Sequence, residues 1–85
     1  MQLLVIFDAS GYDAFKSAHD DGEENRSHAG ISTMQIWKEA GGSRVLALYR
    51  VSDKGKAEAY LSGEMELVTK AAGVSGSQHY FLETA

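Results

Sequence analysis

The pattern of apolar and polar positions predicts two central strands and an edge strand. Residues 1–8 carry apolar side chains on both faces of an extended chain, and so do residues 43–51. Strands that are apolar on both sides need cover on both sides, so we expect these two at the centre of a sheet. Residues 31–39 alternate apolar with polar positions, and Ala40-Gly41-Gly42 joins them to the following strand. This predicts a hairpin whose first strand lies at an edge.

Helical spacing predicts a helix after the first strand. It runs from Tyr12 to about Ala29, with Ser10 or Asp13 as its N-cap and Gly30 just beyond its end. The inner stripe of this helix contains mostly small residues at intervals of three and four: Phe15, Ala18, Gly22, Asn25 or Arg26, and Ala29.

A second helical segment begins after Ser52 or Asp53 and ends at Gly73. Its apolar pattern is interrupted at Ser62-Gly63, where glycine and serine weaken a helix. We therefore expect two helical pieces with a kink or a short break between them.

Residues 74–77 are predicted to be a connection and residues 78–83 the last strand. The element order is therefore βαββαβ, and two right-handed crossovers give an antiparallel four-stranded sheet with both helices on one face. This is the ferredoxin-like α+β architecture, in a single domain over residues 1–85.

The other face of the sheet keeps apolar residues from every strand, and no element remains to cover it. We therefore predict a homodimer through that face.

Size and composition favour assembly. A chain of 85 residues buries only about 60% of the surface that its unfolded form exposes. It has no cysteine for a disulfide or a thiolate metal site, and this absence also fits a cytoplasmic location. The apolar run from Leu3 to Phe7 is too short to span a membrane, and no basic residue precedes it as in a signal peptide.

Charge and motifs exclude several classes of function. The net charge of −4 is confined to the first 30 residues, which hold six acids and two bases. An acidic chain without a basic stripe is not typical of proteins that bind nucleic acid or anionic membranes, and we expect neither partner. No glycine-rich loop has a phosphate-binding pattern and no serine lies in a nucleophile elbow, so we expect no cofactor.

Three stretches carry a resemblance to a known family. They are F-x(3)-H-x(6)-R-x(3)-G at Phe15, His19, Arg26 and Gly30, VLALYRVSD at 45–53, and AGVSG-x(3)-YFLE at 72–83. With the first strand, they make nearly the whole chain similar to the small dimeric α+β barrel proteins. The resemblance implies the fold and the dimer. Such proteins include cofactor-free monooxygenases, haem enzymes and muconolactone isomerase-like enzymes, but no diagnostic motif for these activities is complete here.

His19 and Arg26 are the main candidates for binding a ligand. They lie seven residues apart along one side of the first helix, with Glu23 one turn from His19. Arginine can bind a carboxylate or enolate oxygen, and histidine can exchange a proton near neutral pH. This stripe could hold the polar end of a mostly apolar ligand, with nearby acids raising the proton affinity of His19. The alternative is a half-exposed helix edge with an ordinary Glu23–Arg26 ion pair.

The remaining candidates also have structural alternatives. Glu24 and His28 have the spacing of two metal ligands, but zinc needs three or four, so we predict a solvated acidic face and no metal site. His79 is a cleft candidate, or else a structural group at a sheet or dimer surface. Trp37 and Tyr49 are cleft candidates too, or else core or dimer contacts.

Two functions remain open. The first is a homodimeric barrel that binds a small, partly apolar ligand between the sheet and the first helix. At most it turns the ligand over as a cofactor-independent monooxygenase or isomerase, with unknown catalytic residues. The second is a non-catalytic interaction or stress-associated module. A cavity of roughly 300 Å³ lined by His19 and Arg26 favours the first function, whereas a space filled by Phe15, Tyr60 and their neighbours favours the second.

Overall fold

The computed structural model describes all residues from Met1 to Ala85. Its elements, in chain order, are β1 (Gln2–Ala9), α1 (Tyr12–Asp21), α2 (Glu23–His28), β2 (Ile31–Lys38), β3 (Arg44–Val51), α3 (Lys54–Ser62), α4 (Glu64–Ala71) and β4 (Val74–Leu82). The strands form one antiparallel sheet in the order β2-β3-β1-β4. This is the ferredoxin-like α+β fold that the sequence predicts.

The two strands that are apolar on both faces, β1 and β3, are central, as predicted. They pair antiparallel, with Val5 opposite Ala47 and Leu4 opposite Leu48. The other side of β1 pairs with β4, so the first strand of the chain lies beside the last. β2 is an edge strand, as predicted, and its pairing with β3 is interrupted by a bulge at Met34.

Glycines divide both helical regions. Gly63 separates α3 from α4, where the sequence predicts a break. Gly22 separates α1 from α2, which corrects the prediction of one continuous helix. Gly22 is tightly packed, because a Cβ atom there would lie 3.0 Å from Nη1 of Arg26 and 3.3 Å from Val68, and both side chains would have to move slightly.

The ends of the elements confirm some predictions and correct others. Asp53 caps α3, since its carboxylate accepts a hydrogen bond of 3.0 Å from the backbone N–H of Lys56. The predicted caps of α1 are wrong, because Gly11 occupies the N-cap position and no side chain bonds there. Gly30 has a positive φ of 73°, as expected for a residue that ends a helix.

The last strand begins earlier than predicted. Residues 74–77 belong to β4 and are not a separate connection. Ser77 pairs with Phe7 and Gly76 with Asp8, and the register shifts at Ser75, so that Val74 pairs with Ala9. Pairing with a central strand therefore extends β4 through residues whose own strand propensity is low.

The core lies between the sheet and the helices. One cluster of 15 buried apolar residues includes Leu3, Val5 and Phe7 from β1, and Phe15 from α1. The opposite side of the sheet has no helix over it, and we call it the open face. Its apolar residues are Leu4, Ile6, Met34, Trp37, Leu46, Leu48, Tyr80 and Leu82. No helix of the chain is long and apolar enough to cross a membrane.

Candidate functional site

A buried hydrogen-bonded chain links the first two helices to the sheet. His19 on α1 is 3% exposed and Arg26 on α2 is 4% exposed. His19 Nε2 lies 2.8 Å from the hydroxyl of Tyr49 on β3, and Arg26 Nη2 lies 3.3 Å from His19 Nδ1. Three of the residues that the sequence singles out therefore meet beneath the helices, in a buried position and not on a half-exposed edge.

His19 is neutral near pH 7. Burial lowers the pKa of His19 to about 4, and the positive charge of Arg26 acts in the same direction. The expectation that nearby acids raise its proton affinity is therefore wrong. Asp20 is exposed and forms an ion pair of 2.6 Å with Lys16, so its opposing influence is small.

The neutral state of His19 fixes the direction of each hydrogen bond. A guanidinium group can only donate, so Arg26 donates to Nδ1 of His19, which must carry a lone pair. The imidazole proton is then on Nε2, which donates to the hydroxyl oxygen of Tyr49. Burial raises the pKa of Tyr49, so this hydroxyl stays protonated. Donation therefore runs from Arg26 through His19 to Tyr49.

Arg26 is a buried charge that no acid offsets. The ion pairs of the chain are Lys16–Asp20 and Arg44–Glu39. The Glu23–Arg26 ion pair, which the sequence offers as an alternative to a ligand site, does not form. Nε of Arg26 is buried and has no hydrogen-bond partner. Burial raises the pKa of Tyr60, and the proximity of Arg26 opposes this rise. A buried charge without a counter-charge is strongly unfavourable, so the burial of Arg26 has an energetic cost that no acidic residue of the chain offsets.

Aromatic rings fill the space around His19. Phe15 stacks against the imidazole with ring centres 5.4 Å apart, and the ring of Tyr49, joined to it by the hydrogen bond, has its centre 5.9 Å away. Phe7 contacts Phe15 in turn, at 4.8 Å. His19 borders none of the five main cavities. A ligand cleft between the sheet and α1 would need an open cavity lined by His19. Because aromatic rings fill this space instead, it favours the interaction module over a cleft for a partly apolar ligand.

Two cavities border the buried chain from outside. A recess of about 180 Å³ lies between α2 and the start of β2, and its lining residues are Glu23, Arg26, Ser27, Ile31, Ser32 and Thr33. A larger groove of about 340 Å³ lies between α2 and α3, over Tyr60. The proximity of Tyr60 to Arg26 was not predicted, because its helical spacing marks it only as a core residue.

The other predicted site residues lie elsewhere. Glu23 is exposed at the rim of the smaller recess. Trp37 is 44% exposed on the open face, beside Leu46. His79 is exposed on β4 and meets the edge of Phe81 with ring centres 6.0 Å apart. The structure thus gathers His19, Arg26 and Tyr49, with Glu23 nearby, and separates Trp37 and His79 from them.

The potential metal ligands on α2 do not converge with others. Glu24 and His28 are both exposed. No group of three or more histidine, aspartate or glutamate side chains is arranged to hold a metal ion. Asp20, Asp21 and Glu23 are exposed as well.

Comparison with known proteins finds solved structures with a similar fold. An uncharacterised NIPSNAP domain protein from Burkholderia xenovorans is similar with a TM-score of 0.65 and 12% identity, over 100% of this chain and 95% of that chain. Protein Atu4242 from Agrobacterium tumefaciens gives a TM-score of 0.64 and 10% identity, over 100% and 94%. The likeness is one of fold. No protein-family model matches the chain, and no curated protein matches it.

Proposed function

We propose that this protein functions as a homodimeric α+β barrel that serves as a non-catalytic interaction module, assembled through the open face. The observation that carries the proposal is a sheet with helices on one side and apolar side chains on both. Met34, Trp37 and Tyr80 on the open face are 44%, 44% and 47% exposed. Exposed aromatic and methionine side chains are typical of protein–protein interfaces.

The area of the open face is sufficient for a dimer. Four strands of about eight residues, spaced by about 4.8 Å and rising about 3.3 Å per residue, give a flat area of roughly 500 Å². Two copies would bury roughly twice that area, which reaches the lower limit of about 1,000 Å² for a specific interface.

The charges at the ends of the open face fit a second copy of the chain. Asp8 and the Arg44–Glu39 ion pair lie at one end of the face, with charges that sum to −1, and Arg50 lies at the other end, opposite Gln2. A two-fold axis running across the strands would bring Arg50 of one copy near Asp8 of the other. Such self-complementarity is what a symmetric dimer requires, because each surface serves as its own partner.

A partly apolar ligand between the sheet and α1 has less support, since Phe15, Tyr49 and their neighbours fill that space. In the one hydroxyl–imidazole pair of the site, Nε2 of His19 donates to Tyr49, so His19 is not placed to take a proton from that hydroxyl. The proposal includes a cytoplasmic location, which the absence of cysteine supports.

Light scattering over a dilution series tests the dimer directly. We expect the mass of two chains at micromolar concentration. Trp37 is the only tryptophan and lies on the open face, so its emission should shift to longer wavelength as dilution separates the copies. A folded monomer at micromolar concentration, with a Trp37 spectrum that dilution does not change, would contradict the proposal.

Two leucine variants provide a matched comparison. Leu48→Asp puts a carboxylate in the middle of the open face, whereas Leu67→Asp makes the same change at a position on α4 that is 70% exposed. We expect Leu48→Asp to weaken dimerisation at least about 100-fold, because an unpaired charge would be buried between the copies. Leu67→Asp should leave the dimer intact. Equal dimerisation of both variants would exclude the open face as the interface.

A further inference from the structure

We propose that the recess beside Arg26 binds a small carboxylate ion, whose negative charge offsets the buried guanidinium group. The recess lies between α2 and the start of β2, away from the open face. The proposal therefore goes beyond dimerisation and does not depend on it.

The first argument is the unmet charge of Arg26. The side chain is 4% exposed, forms no ion pair, and contacts a histidine that is neutral near pH 7. Its Nε is enclosed by protein atoms and bonded to none of them. Arginine carries its charge at every accessible pH, so this site cannot relieve the cost by losing a proton. A bound anion removes the cost directly.

The second argument is the lining of the recess. Arg26 is its only basic residue, and Ser27 and Thr33, which also line it, carry hydroxyl groups. The recess also reaches β2, which is an edge strand and presents backbone N–H groups without strand partners. A recess lined by an arginine, hydroxyl-bearing residues and an edge strand offers a carboxylate the donors for charge-assisted hydrogen bonds.

Size and charge define the class of ligand. The recess of about 180 Å³ corresponds to about six water molecules in volume, so it suits an anion of a few heavy atoms. Glu23 at the rim carries a negative charge, which disfavours a dianion such as sulfate more than a monoanion. A monocarboxylate of the size of formate or acetate satisfies both conditions. For so few atoms we expect a dissociation constant on the order of 1 mM.

Glu23 itself is the competing source of negative charge. It lies at the rim and does not pair with Arg26 in this structure. The two possibilities make opposite predictions for Glu23→Gln. If an external carboxylate is the partner, this variant binds acetate several-fold more tightly, because a repelling charge is gone. If Glu23 is the partner, the natural chain does not respond to acetate, and Glu23→Gln lowers its thermal midpoint.

Nuclear magnetic resonance of the arginine Nε–H groups tests the proposal. Sodium acetate replaces sodium chloride at constant ionic strength, with sulfate as a second series. Only three arginines are present, so Arg44→Lys and Arg50→Lys assign the Arg26 signal by elimination, even if Arg26→Gln does not fold. We expect a saturable shift of the Arg26 signal with acetate, a weaker response to sulfate, and none of the Arg50 signal.

Variants then locate the site. Thr33→Val keeps the shape of the side chain and removes one hydroxyl, and it should weaken acetate binding several-fold. Folded Arg26→Gln should lose the acetate-dependent rise in thermal midpoint, which Lys70→Gln, a change at an exposed base on α4, should retain. The proposal is overturned by an Arg26 signal that does not move with acetate, or that moves equally with chloride. It is also overturned if acetate binds no more tightly to Glu23→Gln than to the natural chain.

Discussion

The low pKa of His19 makes the stability of this fold sensitive to acid in a defined range of pH. In the unfolded chain His19 has its ordinary pKa of 6.5, and in the folded chain burial lowers the pKa to about 4. Between these values the unfolded state binds a proton that the folded state does not. The free energy of unfolding is therefore highest above pH 6.5 and falls as the pH decreases towards 4.

The two pKa values give the size of this effect. The difference corresponds to about 3 kcal/mol, which His19 removes from the free energy of unfolding once the pH is below 4. Within the range, the slope approaches about 1.4 kcal/mol per pH unit. Small domains have a total stability of about 5–15 kcal/mol, so this one residue has a measurable influence.

Urea unfolding between pH 7.5 and pH 4, at one protein concentration, measures this effect. His19→Gln removes the titrating group, and His28→Gln is the matched control because His28 is exposed on α2. We expect His19→Gln to be less stable at pH 7.5 and to have a flatter dependence on pH, whereas His28→Gln keeps the dependence of the natural chain. Parallel curves for the natural chain and His19→Gln would refute the reasoning.

Two further substitutions test the buried chain and the backbone. Tyr49→Phe leaves the Nε2–H of His19 without an acceptor, so it should lower the free energy of unfolding in urea by about 1–3 kcal/mol. Tyr12→Phe is the control, because the hydroxyl of Tyr12 has no protein partner, and it should change this free energy little. Gly30→Ala introduces a side chain at a φ of 73° and should lower the free energy of unfolding by about 1–2 kcal/mol, with a lower thermal midpoint. Gly11→Ala is the control, because Gly11 has an extended φ and open space around it, and it should change the thermal midpoint little.

Much of the fold is predictable because strand position follows from how many faces are apolar. β1 and β3 carry apolar residues on both faces, and burial from both sides is possible only at the centre of a sheet. The helix break at Gly22 could not be predicted in the same way. Glycine weakens a helix without always ending it, and the packing of Arg26 and Val68 close to Gly22 is a tertiary contact without a local signal.

The grouping of His19 with Arg26 was predictable from the sequence, but the position of Tyr49 beside them was not. The spacing of His19 and Arg26 correctly places them on one side of the helical region. Tyr49 is 30 residues from His19, and the alternation of β3 does not reveal which of its two apolar faces meets the helices. The direction of the His19 pKa change was mispredicted, because acids close in sequence point to solvent and Asp20 binds Lys16.

The position of β1 between β3 and β4 has a consequence for how the protein folds. β1 pairs with a strand that is distant in sequence, because Gln2 lies opposite Leu82. Closing so long a loop is slow compared with forming local helices or the β2–β3 hairpin. Until β4 is present, an apolar edge of β1 is free to pair with other chains. A nascent or truncated chain that lacks residues 74–85 should therefore aggregate, however well its helices form.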